Sequence, residues 1–192
     1  MGIIMGTHDL HRQELLGPAE TLRGYDRWAT SYDSDGNPLV EATGWVLDRS
    51  PLGCADCDVV EMGCGTGRHV SRVIGDGARS YTGVDGSVGM LNIASMHKRD
   101  ARVSFAHADL MEPWLSHRMF DLALVVLLLE HLPSLDPLCE TLARVLRPGG
   151  RVRIVDLHPE RIATGSLAHF QEAGTEVRFA SVAHPVAALA AA

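Results

Sequence analysis

The chain predicts an α/β fold, a mostly parallel sheet doubly wound with helices on both faces. Three observations predict it. From residue 58 onward, apolar runs of strand length alternate with segments of helix length, the pattern of successive βαβ units. The run at 120–127 is apolar beyond Asp121, as suits a strand covered on both faces. The first run ends in a bend, Gly63-Cys64-Gly65-Thr66-Gly67, where a strand turns sharply toward a helix and its backbone lies open to a ligand.

The elements follow in order. Residues 1 to about 20 have weak periodicity and a Gly17-Pro18 break, and read as a mobile arm or a short helix. Tyr25 to Tyr32 is aromatic-rich and polar, and precedes a turn at 33–38. A helix is expected over 39–49, with Leu39, Val40, Val46 and Leu47 apolar, until Ser50-Pro51 breaks it. A strand at 58–62, a helix at 67–75 and a strand at 80–84 come next. The helix at 87–99 should turn Met90, Leu91, Ala94 and Met96 inward. Strands at 103–107 and 120–127 follow. A helix at 135–146 stops at Pro148-Gly149-Gly150, and a fifth strand occupies 151–157.

Composition narrows the function classes. A chain of 192 residues, 46% hydrophobic and 21% charged, is ordinary for one globular domain. No apolar run reaches the 18 residues that suggest a spanning helix. His8, Asp9, His11, Arg12 and Glu14 stand where a signal peptide needs apolar residues, so a cytoplasmic protein without membrane partners is expected. A net charge of −7 argues against a broad nucleic-acid surface. Cys54 and Cys57 have the gap of a zinc half-site, but no second pair follows at finger or ribbon spacing. Reduced thiols and no metal are the expectation.

The glycine bend is not a nicotinamide fingerprint, which would put its third glycine at position 68, where the chain has Arg68. Nor is it a Walker A loop, since no Gly-Lys-Ser/Thr follows. The second strand ends at Asp85, 22 residues beyond Gly63. In this topology an acid there faces the ribose of a ligand seated on the bend.

These residues carry a resemblance. The chain is similar, from about Tyr25 to Leu157, to the class I S-adenosylmethionine-dependent methyltransferases of small-molecule type, whose fold is Rossmann-like. Tyr25, Asp26, Ala29, Tyr32 and Asp33 match their Tyr-Asp-x-x-Ala-x-x-Tyr-Asp opening. Glu61, Gly63, Cys64, Gly65 and Gly67 cover their first motif, with Glu61 where Asp is commoner. Asp85, with Gly86 after it, matches the ribose-binding acid. Met90 sits where an apolar residue covers the adenine, and Ala108-Asp109-Leu110 matches the adenine-edge motif. Leu127 ends the fourth strand, and Arg147-Pro148-Gly149-Gly150 matches the turn before the fifth.

The resemblance implies an enzyme that moves a methyl group from S-adenosylmethionine to an O, N or C nucleophile of a small molecule, leaving S-adenosylhomocysteine. Bacterial specialised metabolism is the expected setting. A sulfonium is cationic, so Glu61 would offer it a favourable field. Tyr25 and Tyr32 are expected as a lid, and Trp28 as packing. His131 and His158, each following a strand on the ligand side, are the candidate catalytic residues; with His184 they are also the candidate substrate contacts. Competing readings are a methyltransferase-like protein using the cofactor for a pericyclic or elimination step, and a noncatalytic partner subunit.

The implied organisation is an arm (1–20), a helical lid (21–50), a cofactor-binding core (51–158) and a short substrate-side or oligomerisation segment (159–192). The family's final antiparallel strand pair has little room here. The fifth strand's edge would then be covered by 175–182 folding back, or by a second copy of the chain or another protein, with oligomerisation favoured, unless the chain is a truncated product whose methyltransferase activity is lost.

Overall fold

A computed structural model describes residues 12–191; the expectations for residues 1–11 lie outside the described residues. The chain begins with β1 (Arg12–Leu16), a 3₁₀ turn, α1 (Thr21–Trp28) and α2 (Pro38–Arg49). It then alternates through β2 (Asp58–Met62), α3 (Val70–Gly75), β3 (Ser80–Asp85), α4 (Val88–Ala94), β4 (Val103–His107) and β5 (Phe120–Val126). The remainder is α5 (Asp136–Val145), β6 (Leu146–Val155), α6 (Pro159–Ala163), β7 (His169–Glu172), β8 (Thr175–Phe179) and α7 (Val186–Ala191).

The five expected strands form one parallel sheet in the order β4-β3-β2-β5-β6. Chain order reverses between β2 and β5, so the cleft at their C-terminal ends is the switch point where ligands of such sheets bind. Side chains alternate faces along a strand. Leu122, Leu124 and Val126 accordingly join Val59 and Tyr81 in a layer with Val70 and Val73 of α3. Ala123 and Val125 join Val60, Met62 and Val84 beneath Leu138 and Val145 of α5. The apolar run therefore feeds both layers.

Local chemistry sets most boundaries. The Asn37 side chain accepts the Leu39 N–H at 2.9 Å and Pro38 opens α2, the expected capping arrangement. Two boundaries differ from the expectation. Helix α4 tightens into a 3₁₀ turn at Ser95–His97, which takes Met96 off the apolar stripe and leaves it 64% exposed. Pro148-Gly149-Gly150 does not precede the fifth strand but lies within β6. The register shifts there between Phe120 and Leu122, and Gly149 absorbs the irregularity at φ +79°.

The termini build a second sheet. Arg12–Leu16 is neither arm nor helix, because it pairs in parallel with β8, which pairs antiparallel with β7. The stretch expected to fold back on the fifth strand thus goes elsewhere, and among the described residues β6 remains an edge of the main sheet with Val152 and Ile154 partly exposed. The small sheet seats on α1 through Trp28, Phe170 and Phe179, with Trp28 stacked on Phe170 at 5.2 Å. Arg27 of α1 ties it down, donating to Glu14 of β1 at 2.8 Å and to Glu172 of β7.

Candidate functional site

The bend after β2 holds Gly63, Gly65 and Gly67 at φ +71°, +52° and +74°, a region that disfavours any side chain. Gly63 and Gly65 line the main cleft. Gly67 instead faces Ala94, His97 and Phe105, so it packs the bend rather than lining the cleft. Asp85 ends β3 opposite. Its Oδ2 accepts the Gly65 N–H and its Oδ1 the Ser87 N–H, both at 2.8 Å. Burial raises its pKa, against the pull of those two amides.

The cleft spans about 640 Å³ of space, its open mouth included. Gly86, Met90, Asp109 and Leu110 line it on the β3–β4 side; Leu127 and His131 line it beyond β5; Tyr25 and Tyr32 close it from above. Sequence reasoning missed Thr21, Leu22, Met111, Val126, Leu128 and Leu132, which also line it. Thr21 was findable, since it lies one helical turn before Tyr25 on the same face of α1.

Three polar residues of the Tyr25–Asp33 motif dock it against the core. Tyr25 shares a 2.7 Å hydrogen bond with His131 Nε2. Asp26 Oδ1 accepts the Ser87 hydroxyl and the Gly89 N–H, both at 2.7 Å, at the N-terminus of α4, where a negative charge is favoured. Asp33 accepts the Thr66 hydroxyl at 3.1 Å. A Cβ at Gly89 would lie 2.9 Å from the Asp26 backbone, so glycine there permits the close approach of α1. Trp28 is buried in the aromatic cluster as packing.

Glu61 stands near the end of β2, beside the bend. It is buried, and both its oxygens are already taken within the protein. The Tyr81 hydroxyl donates to Oε2 at 2.5 Å, and His69 Nδ1–H donates to Oε1 at 2.6 Å. Arg68 Nε–H donates to His69 Nε2 at 3.0 Å, which puts the His69 proton on Nδ1. Glu61 and Cys64 line a smaller recess beside the bend, along with Arg68 and His69. Glu61 therefore braces the bend, while the recess it lines is shared with Tyr32, Gly63 and Gly65 of the cleft.

The structure brings one of the three candidate histidines into the cleft. His131 is buried, and its Nδ1 has no partner among the described residues. Burial holds its pKa down to about 4, so the ring is neutral near pH 7. His158 accepts the Glu160 N–H at 3.4 Å as the cap of α6, and His184 Nε2–H donates to the Leu132 carbonyl at 2.8 Å. Both line a separate cavity with Glu130 and Asp156.

The buried neutral imidazole has a measurable consequence. An unfolded histidine titrates near pH 6.5, so below that pH the unfolded chain binds a proton that His131 in the folded chain refuses. Its contribution is complete above pH 6.5 and is lost as pH falls toward 4, by about 3 kcal/mol. Urea midpoints measured across this window should fall less for His131→Gln than for the wild type. Parallel curves would contradict this account of the ring.

The cleft suits an adenosyl ligand. The bend offers open backbone, Asp85 retains lone pairs for ribose hydroxyls, and Met90 and Leu110 give apolar walls for a flat base. Thr21 Oγ1 and His131 Nδ1 are buried without partners among the described residues, a need that a bound polar molecule would satisfy.

Comparison with known proteins agrees. Residues 59–150 match a family model described as a methyltransferase domain. An uncharacterized methyltransferase (AN0656) of Emericella nidulans is 30% identical, over 95% of this chain and 76% of its own length. The 27-O-demethylrifamycin SV methyltransferase of Amycolatopsis mediterranei is 31% identical over 72% of this chain, which spans 58% of that protein. A solved structure described as a DhpI–SAH complex superposes with a TM-score of 0.71 at 27% identity, over 91% of this chain and 84% of that one. The chain belongs to the class I S-adenosylmethionine-dependent methyltransferases.

Proposed function

We propose that the chain methylates a nucleophilic atom of a small molecule, with His131 facing the acceptor and the setting being bacterial specialised metabolism. One observation carries the reading: the Tyr25–His131 pair lines the cleft beside the glycine bend, with His131 Nδ1 unpartnered among the described residues. The demethylrifamycin methyltransferase, which by its name acts on a small molecule, supports the substrate class. Among the described residues, no helix is long and apolar enough to cross a membrane.

S-adenosylmethionine supplies an electrophilic methyl group. The protein's part is to position and exclude water, since in-line transfer gains most from a held geometry. Gly63 and Gly65 let a ligand approach the backbone, and Asp85 fixes the ribose. Tyr25 and Tyr32 cover the cleft. When an acceptor must lose a proton, His131 Nδ1 takes it while Nε2–H turns to the Tyr25 oxygen.

The test is to incubate the protein with S-adenosylmethionine and panels of alcohols, phenols and amines, reading S-adenosylhomocysteine by mass spectrometry. Turnover with at least one class, reduced about 100-fold in His131→Ala, is expected. Cofactor binding without turnover across the panels would favour a non-methylating use of the cofactor. Turnover only on adding a second protein would make the chain a partner subunit.

A further inference from the structure

The segment that carries His131 has no capping side chain of its own. It is a 3₁₀ turn at Leu129–His131, entered through Leu128, which makes no side-chain cap. Just before it, Leu127 sits at φ +51°. Such a conformation is rare for a branched residue and persists only where the surroundings enforce it. The first amides of this turn need acceptors from outside it.

They find them on the neighbouring strand's exit. Asp156, which directly follows β6, accepts the Leu128 N–H at 3.0 Å and the Leu129 N–H at 2.9 Å through one oxygen. Its other oxygen accepts the Leu157 N–H at 2.7 Å. Three further contacts hold the turn from the same side. The Ser181 hydroxyl donates to Glu130 Oε2 at 2.7 Å, Val182 N–H to the Glu130 carbonyl at 2.8 Å, and His184 to the Leu132 carbonyl at 2.8 Å.

We propose that Asp156 is a positioning residue for methyl transfer: its carboxylate caps the strained turn after β5 and so places Leu127, Leu128 and His131 against the cofactor cleft. It touches neither cofactor nor acceptor and acts through the backbone it holds. The 181–184 segment is a second support for the same turn. The proposal rests on the cofactor reading above. It adds that the turn's shape is imposed by β6 rather than by the turn's own residues. Charge and reach both matter. A carboxylate accepts all three N–H groups, whereas an asparagine in the same place turns an NH₂ toward one of them.

The test compares Asp156→Asn, Asp156→Ala and Asp156→Glu in the full chain, with two readouts. Hydrogen exchange of the Leu128 and Leu129 amides needs no ligand and reports the turn itself. Calorimetric titration with S-adenosylhomocysteine reports the cleft. In Asp156→Ala, exchange at these two amides is expected to accelerate at least about 100-fold, with affinity falling at least about tenfold. Asp156→Asn, the variant surest to fold, should fall between alanine and wild type in both. Asp156→Glu should resemble alanine, because one extra methylene displaces the acceptor.

Unchanged exchange in Asp156→Ala would overturn the cap. Faster exchange with unchanged affinity in all three variants would overturn the link to the cleft. A wild-type protein that fails to bind S-adenosylhomocysteine would take down the cofactor reading and this role with it. The protected wild-type amides would still distinguish that failure from failure of the cap.

Discussion

Replacing Asp85 by alanine lowers affinity for S-adenosylhomocysteine by at least about 100-fold and leaves the chain folded. A hydrogen bond to a charged group contributes about 1.5–3 kcal/mol, and an acid at this position can accept from two ribose hydroxyls. Losing both exceeds the ~2.7 kcal/mol that separates affinities 100-fold apart. The variant also releases the Gly65 and Ser87 amides that the carboxylate holds at 2.8 Å, so the bend loses its register against β3. Asp85→Asn, which keeps one acceptor oxygen, falls between.

The same residue gives the binding a pH dependence. Burial raises the pKa of Asp85, so wild-type affinity is full above that pKa. It weakens as pH falls through a range higher than an ordinary carboxylate's. Asp85→Ala lacks this component. Titration calorimetry from neutral to mildly acidic pH checks both statements, and a variant within about threefold of wild type would refute them.

The second large effect concerns Glu61. Glu61→Leu fills much the same volume but strands the Tyr81 hydroxyl and His69 Nδ1–H, which now donate to it at 2.5 and 2.6 Å. Each buried donor left without an acceptor costs about 1–3 kcal/mol. The expected loss, about 2–5 kcal/mol, is a large part of a typical domain's stability and lowers the melting temperature by about 5–15 °C. Adding Tyr81→Phe removes one stranded donor, and the double variant should recover about 1–2 kcal/mol. Calorimetric melting of the two variants decides. If Glu61 served the ligand alone, the free protein would melt as the wild type does, and Tyr81→Phe would restore nothing.

Much of the architecture was legible because its signals are local. Strand β5 announced itself by an apolar run that feeds both layers. The bend and Asp85 were legible because glycines at alternate positions and an acid one strand later are short-range marks of a fixed topology. The Tyr25–Asp33 motif was legible as residues, and the structure adds what Tyr25, Asp26 and Asp33 hold. Strand β1 was not legible. It pairs with Thr175–Phe179, far along the chain, and such pairing leaves no mark in a window of neighbouring residues.

The site shows the same division. Glu61 was readily noticed, but its partners Tyr81 and His69 come from other elements, so its role as a brace appears only once β2, β3 and α3 are packed together. His184 lies near Pro185 in a segment read as facing the acceptor. Its ring instead bonds the Leu132 carbonyl, behind the turn that carries His131. Position in a motif tells which element a residue ends, and not which side of that end its side chain takes.

We propose that the bend at Gly63–Gly67, joined to Asp85, grips the adenosyl part that S-adenosylmethionine and S-adenosylhomocysteine share. Titrating the purified wild-type chain with S-adenosylhomocysteine in a calorimeter tests it most directly. One site per chain is expected, with a matching rise in melting temperature as ligand exceeds the dissociation constant. No heat of binding, and no shift in melting even at millimolar ligand, would contradict it.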